Sequence, residues 1–384
     1  MDFELTEEQK ILQETVKKFM DNEVAPIVDE CEKKKAIPKD LVKKLVSFGY
    51  VGAIVPPEYG GLGLDYISLG ILMEEAGRTW GALRVLANGP LNLIPYTISV
   101  NGTEEQKKKY LPSLLSADKT GFLAITEPNV GSDASGIETR ADLEGDHYII
   151  NGTKMWVTNG STSDLGIIFA STDKSKGPKG ITAFIVDKEE TPISVRDTEK
   201  MFGKAVVASE FVFDDAKVPK ENMFGPEGKG LKIALTTLNE GRHNVAMGSV
   251  GIAQACIDAS VKYAKERKQF GKPIGSFQLV QKLIVEMVAD TLASRLLGYQ
   301  AANCLDSGGR CDRFCSVAKL FACEAAFKTA SNALQVHGGY GYSKEFPIER
   351  YFRDARGAMI PEGTSEIQTL IIGRDVLGMS AIRG

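Results

Sequence analysis

GFLAITEP, Gly121 to Pro128, marks the point where the period of this chain changes. Before it, LVKKLVSFGYVGAIVP (41–56), YISLGILMEEAGRTWGALRVLAN (66–88) and TEEQKKKYLPSLLS (103–116) carry apolar residues at three-to-four spacing, which predicts helices. After it come short β-branched or aromatic runs, HYIINGTKMWVTNG, LGIIFAST, ITAFIVDK and SEFVFDDAKVP, broken by glycine turns. That pattern predicts an antiparallel sheet or barrel of roughly a hundred residues. From about Gly228 the helical period returns and persists, as four helices with short links. The fold class is therefore α+β and mostly helical. It divides into an N-terminal helical domain (1–120), a middle β domain (121–227) and a C-terminal four-helix bundle (228–384). Strands do not alternate with helices, which argues against a Rossmann or TIM fold. Gly60, Gly61 and Gly63 follow no predicted strand, so they are no dinucleotide fingerprint.

Composition excludes several classes of function. Forty-six basic and fifty acidic residues leave a net charge of −4, giving no reason to expect nucleic acid or anionic membrane as a partner. No apolar run reaches the roughly 18 residues of a membrane span. The start, MDFELTEEQKILQETVKKFM, reads as an amphipathic helix with acids early and lysines late. It lacks the layout of a signal peptide. The expected location is the cytoplasm; a mature mitochondrial matrix form would read the same. The six cysteines include no CxxC pair, and those from Cys304 to Cys323 lie in helical sequence without a nearby histidine. They read as buried free thiols, and no metal is expected.

Five short stretches can carry chemistry. TEPNVGSD (126–133) is a loop dense in hydroxyls and backbone amides, suited to a heterocycle edge or an oxyanion, or simply a capped turn. In KMWVTNG (154–160), Trp156 and Thr158 stand two apart on a predicted strand, hence on one face. ERKQFGKPIGSFQ (266–278) sets Arg267 near a helix end, where it could complement the dipole or pair with a phosphate. QVHGGYGY (335–342) has glycines that end a helix or admit a ligand, with His337 read as structural. GAMIPEGTSEIQ (357–368) holds Glu362 between a proline and a glycine, on a turn before a helix capped by Thr364 or Ser365.

In that order and at those separations, the stretches resemble the acyl-CoA dehydrogenase family over essentially the whole chain. The resemblance implies FAD as cofactor, an acyl-CoA thioester as substrate, an electron-transfer flavoprotein as acceptor and a homotetramer. Thr126 and Ser132 would touch the flavin edge and pyrophosphate region, and Trp156 and Thr158 would flank its N5 side. Arg267, Phe270 and Gln278 would reach FAD across a dimer interface. Gln335, Gly338 and Gly339 would hold its ADP portion from a neighbouring subunit, with Thr364 and Glu366 as further contacts. Ser132, Arg242 and Gly363 would border the substrate. Asn239 stands where many relatives have an aspartate that contacts pantetheine.

Glu362 matches the catalytic base that removes the α-proton while flavin N5 takes the β-hydrogen as hydride. A thioester α-proton is weakly acidic. The enolate therefore needs donors, expected from the flavin ribityl chain and the Glu362 backbone N–H. An apolar pocket raises a carboxylate's pKa toward the range such a base needs. Some relatives place the base on a bundle helix, but Glu240, in LNEGR, lies one residue from that position and reads as a structural or pocket-rim residue. Arg84, in WGALRVLAN, aligns with the arginine that glutaryl-CoA dehydrogenases use for the substrate's distal carboxylate; an ordinary salt bridge is the alternative. Decarboxylating relatives have Tyr before the base and an acid upstream of this arginine, where this chain has Pro361 and Gly77. Two substrate classes follow: glutaryl-CoA oxidised without loss of carbon dioxide, or a compact branched or alicyclic acyl-CoA. An acyl-CoA oxidase, usually a longer chain, and a non-catalytic relative that has lost the base or the flavin loop are weaker readings.

Overall fold

The computed structural model describes residues 4–381, so the first three residues of the predicted N-terminal helix lie outside it. The helical N-terminal part comprises α1 (Glu7–Phe19), α2 (Val28–Lys34), α3 (Lys39–Ser47), α4 (Tyr66–Thr79), α5 (Gly81–Asn88), α6 (Ile94–Asn101) and α7 (Glu104–Leu115). α1 and α7 begin with capping boxes, Thr6 with Gln9 and Thr103 with Gln106, which satisfy N-terminal amides reciprocally.

The middle part is an eight-stranded sheet: β1 (Gly121–Ala124), β2 (Arg140–Glu144), β3 (His147–Thr158), β4 (Leu165–Ser171), β5 (Ile181–Asp187), β6 (Ser194–Thr198), β7 (Ala208–Pro219) and β8 (Met223–Phe224). The order is β6-β7-β3-β2-β4-β5-β8, with β1 beside β4. Most pairs are antiparallel, but β1 runs parallel to β4, from Gly121 opposite Leu165 to Ala124 opposite Ile168. This corrects the fully antiparallel expectation. β4 and β5 are buried along their whole length, so their pattern carries no hint of pairing direction.

The C-terminal part holds α8 (Gly230–Glu266), a two-stranded β9 (Lys268–Gln269) and β10 (Lys272–Pro273), α9 (Gln278–Asp306), α10 (Asp312–His337), α11 (Gly339–Tyr342), α12 (Ile348–Ala358) and α13 (Ser365–Leu377). α4 crosses α8 at backbone distance. A Cβ at Gly77 would lie 2.1 Å from the Gly248 carbonyl oxygen, and one at Gly251 would lie 1.9 Å from the Glu74 oxygen. Only glycine fits either position, and the crossing brings α5 against α8 and the α12–α13 turn. No helix among the described residues is long and apolar enough to cross a membrane.

Candidate active site

α12 ends at Ala358 and α13 is capped by Thr364, whose hydroxyl accepts from Ile367 N. The turn between them carries Glu362 at φ 59° and Gly363 at φ 93°. A non-glycine residue held at positive φ is strained, and three side chains fix it there. Arg242 Nε donates to the Glu362 carbonyl (3.2 Å), and Gln368 Nε2 donates to the carbonyls of Glu362 and Gly363 (2.9 Å each). The buried Lys319 Nζ donates to the carbonyls of Met359 (2.8 Å) and Gly363 (2.9 Å). Sequence reasoning missed Lys319 and Gln368 as clamps. Gly363 is needed for its φ and for Gln368, whose Nε2 would sit 2.7 Å from an added Cβ, rather than only for an acyl chain.

Glu362 as a whole is half-buried, but its carboxyl is enclosed. A Cβ at Gly241 would stand 2.7 Å from its Cδ, so glycine there leaves it room. Asn88 Nδ2 donates to Oε1 at 3.4 Å. Burial pushes the carboxyl pKa up, opposed by the charges of Arg242, Arg84 and Lys319 and by the Asn88 contact. The Glu362 N–H finds no backbone or side-chain acceptor among the described residues, leaving it free to donate to a substrate oxygen.

Arg84 is 3% exposed, one helical turn before Asn88 and so on the same face of α5. Its Nε is buried without a partner, and its guanidinium makes no ion pair among the described residues. Burial lowers its pKa, with Cys323, Asp354 and Glu362 opposing. Its stem lies against Gly248, where a Cβ would come within 2.4 Å of Arg84 Cγ. The alternative of an ordinary salt bridge is thus not what the fold provides. Beside the base, Arg242 Nη1 donates to Asn239 Oδ1 (2.8 Å), and Asn239 Nδ2 donates to Asp312 Oδ1 (3.2 Å), which ties α8 to α10.

Four of the expected cofactor residues, Arg267, Gln335, Gly338 and Gly339, line one open cleft of about 580 Å³ at the adjoining ends of α8 and α10. Added Cβ atoms on Gly338 or Gly339 would meet nothing within 4 Å. Arg267 lies over the Tyr340 ring at 5.7 Å and makes no ion pair among the described residues. A free guanidinium, open backbone and aromatic faces fit the ADP portion of FAD. Phe270 (93% exposed, φ 51°) and the exposed Gln278 project outward nearby. His337, read as structural, stacks on Tyr263 at 4.4 Å and contacts the Ala333 carbonyl through Nδ1.

In the middle domain, Thr126 and Ser132 lie on the loop after β1. The buried Glu127 anchors this loop: Lys154 Nζ (2.7 Å), Thr139 Oγ1 (2.5 Å) and the Glu138 and Thr139 amides all donate to its carboxylate. Burial lowers the Lys154 pKa to about 8 despite that pairing. A β-bulge between Lys154 and Val157 breaks the alternation of β3. Trp156, at φ 61°, stands out with 54% exposure, and the half-buried Thr158 lies on the side opposite the buried Val157. Glu366, in the first turn of α13, is exposed. All six cysteines are free, five of them buried and Cys304 half-buried.

Three profiles of one family match this chain: acyl-CoA dehydrogenase, N-terminal domain over residues 6–118, middle domain over 123–216 and C-terminal domain over 228–377. The chain is 42% identical to a 3-(aryl)acrylate reductase from Clostridium sporogenes, over 97% of this chain and 99% of that protein. It is 40% identical to subunit CarC of the caffeyl-CoA reductase–Etf complex from Acetobacterium woodii, over 96% and 97%. Among solved structures, a glutaryl-coenzyme A dehydrogenase in complex with glutaryl-CoA superposes with a TM-score of 0.95 at 40% identity, covering 98% of this chain and 97% of that one. The chain belongs to the acyl-CoA dehydrogenase family, the FAD-dependent flavoproteins that dehydrogenate acyl-CoA thioesters.

Proposed function

We propose that this enzyme oxidises a short dicarboxylic acyl-CoA, with glutaryl-CoA as the leading candidate, to its 2-enoyl thioester without decarboxylation. The observation that carries the substrate class is Arg84: a buried guanidinium with no ion pair among the described residues, on the helix face that also delivers Asn88 to Glu362. An unpaired buried charge is costly, and a substrate carboxylate supplies the missing partner. The relative solved with glutaryl-CoA, at 40% identity, supports the reading. Carbon dioxide is retained because Pro361 and Gly77 replace the tyrosine and acid of the decarboxylating pattern. No side chain fits at position 77, since its Cβ would overlap the Gly248 carbonyl.

Glu362 takes the α-proton, and its enclosure raises its proton affinity toward that task. The clamp of Arg242, Gln368 and Lys319 holds the strained turn, so the carboxyl and the free Glu362 N–H are fixed before substrate arrives. FAD, when bound, supplies the acceptor for the β-hydrogen. Arg242, with Asn239, borders the CoA side and Gly363 the acyl side, while Thr126, Ser132, Trp156, Thr158, Thr364 and Glu366 bear on the flavin.

The electron acceptor is an electron-transfer flavoprotein, a reading supported by the relative named as a subunit of an Etf complex. The working form is a homotetramer. Its support is an exposed apolar stripe on α9, Val285, Val288, Leu292 and Leu296, together with the outward Phe270. Anaerobic flavin bleaching tests the substrate. Glutaryl-CoA should bleach fastest and yield glutaconyl-CoA. Bleaching by butyryl-CoA or cyclohexanecarboxyl-CoA alone would move the enzyme to the compact neutral acyl class.

A further inference from the structure

One buried carboxylate beside the base is not used by this mechanism. Glu240, on α8, is 2% exposed, and its Oε2 has no hydrogen-bond partner among the described residues. Its Oε1 accepts from Asn244 Nδ2 (3.5 Å); the same Nδ2 donates to Asn88 Oδ1 (3.0 Å), and Asn88 Nδ2 donates to Glu362 Oε1 (3.4 Å). We propose that Glu240 is a positioning residue: through Asn244 it fixes the amide orientation of Asn88, so that Asn88 presents its NH2 group to the Glu362 carboxylate.

Donor and acceptor inventory sets the orientation of both amides. An asparagine amide has one oxygen and one NH2, and a flip exchanges them. In the observed arrangement Glu240 Oε1 acts as an acceptor and draws the NH2 of Asn244. That NH2 also meets Asn88 Oδ1, which leaves the Asn88 NH2 toward the base. Without the acceptor at 240, both amides are free to invert, and Asn88 would then turn its oxygen on a carboxylate. The outer contacts are long, as catalytic hydrogen bonds often are before ligand binds. Burial first, then the neighbouring Glu362 charge, raise the Glu240 pKa to about 8, with the Asn244 contact opposing. Glu240 is therefore held uncharged at neutral pH and needs no cation. Glu362 itself faces Arg242 from α8, Arg84 and Asn88 from α5 and Lys319 from α10, so the titratable groups that act on it most strongly, Glu240 apart, are cationic.

The inference rests on Glu362 being the base, and the test separates the two. Flavin bleaching by glutaryl-CoA, or by butyryl-CoA if that is the better substrate, is followed against pH for Glu240→Leu, Glu240→Gln and Glu362→Gln holoenzymes. Glu240→Leu should bleach roughly ten- to a hundredfold more slowly. Its ascending pH limb should move up, with flavin content and substrate Kd within about twofold of wild type. Glu240→Gln, which keeps an oxygen acceptor, should recover most of the rate and the original limb. An unshifted limb in Glu240→Leu, or no recovery in Glu240→Gln, would overturn the positioning role. Bleaching by Glu362→Gln at the wild-type rate would instead overturn the base assignment beneath it.

Discussion

Arg84→Met separates a substrate anchor from a structural arginine by the sign of two effects. Methionine keeps most of the apolar stem that packs on Gly248 and removes the guanidinium, which has no ion pair among the described residues. Replacing an uncompensated buried charge by an apolar isostere of similar volume should stabilise the free protein by roughly 1–4 kcal/mol. That corresponds to a rise of a few degrees in melting temperature. Binding should change in the opposite direction. Removing one partner of a desolvated charge pair costs roughly 2–5 kcal/mol, which is about a thirtyfold to several-thousandfold rise in Kd for glutaryl-CoA. A neutral thioester such as butyryl-CoA should be hardly affected. The assay pairs a thermal melt of the holoenzyme with anaerobic flavin titration by both thioesters. A variant that melts lower and binds both thioesters as wild type does would refute the reasoning, because Arg84 would then be stabilising the fold.

Gly248→Ala should have the same selective effect without touching the charge: its Cβ would fall 2.4 Å from Arg84 Cγ and force the arginine aside, so the preference for glutaryl-CoA over butyryl-CoA should collapse in competition assays. Lys319→Met removes two donors to the catalytic turn and a cation that lowers the Glu362 pKa. Rapid-mixing experiments should show bleaching slowed roughly a hundredfold and the ascending pH limb displaced upward. Glu240 carries its proton to about pH 8 in the folded chain, against 4.5 as the ordinary value. The folded state therefore holds more protons than the unfolded one in that window, and stability falls as pH rises through it. Glu240→Gln should flatten that decline, gaining on the order of a few kcal/mol by pH 8.5 in denaturant titrations.

The helix–sheet–helix order was legible because each block keeps a single period for a hundred residues or more. β2 and β6 were not. RADLE and SVRDT are polar and largely exposed, with no alternation to mark them as strands. The bulge at Trp156 was hidden for a related reason: nothing local distinguishes a tryptophan at positive φ from one in regular β backbone. In the site, Glu362 stood out through its own neighbours, Pro361 and Gly363. Lys319, Asn88 and Asn244 left no such signal, since each is an ordinary helical residue brought to the turn from 43 or more positions away. Periodicity assigns a residue to a face of its helix. Whether that face meets a carbonyl, an amide or a carboxylate depends on crossings such as Gly77 against Gly248, which only the packed structure displays.

The most direct test of the central claim is anaerobic mixing of glutaryl-CoA with wild-type and Glu362→Gln holoenzymes, following flavin absorbance. The account predicts rapid bleaching of the wild type and, in the variant, normal binding with bleaching slowed by a factor of roughly a hundred to ten thousand or more. Bleaching of the variant at the wild-type rate would mean that another group removes the α-proton, and the assignment of the strained turn as the catalytic base would be wrong.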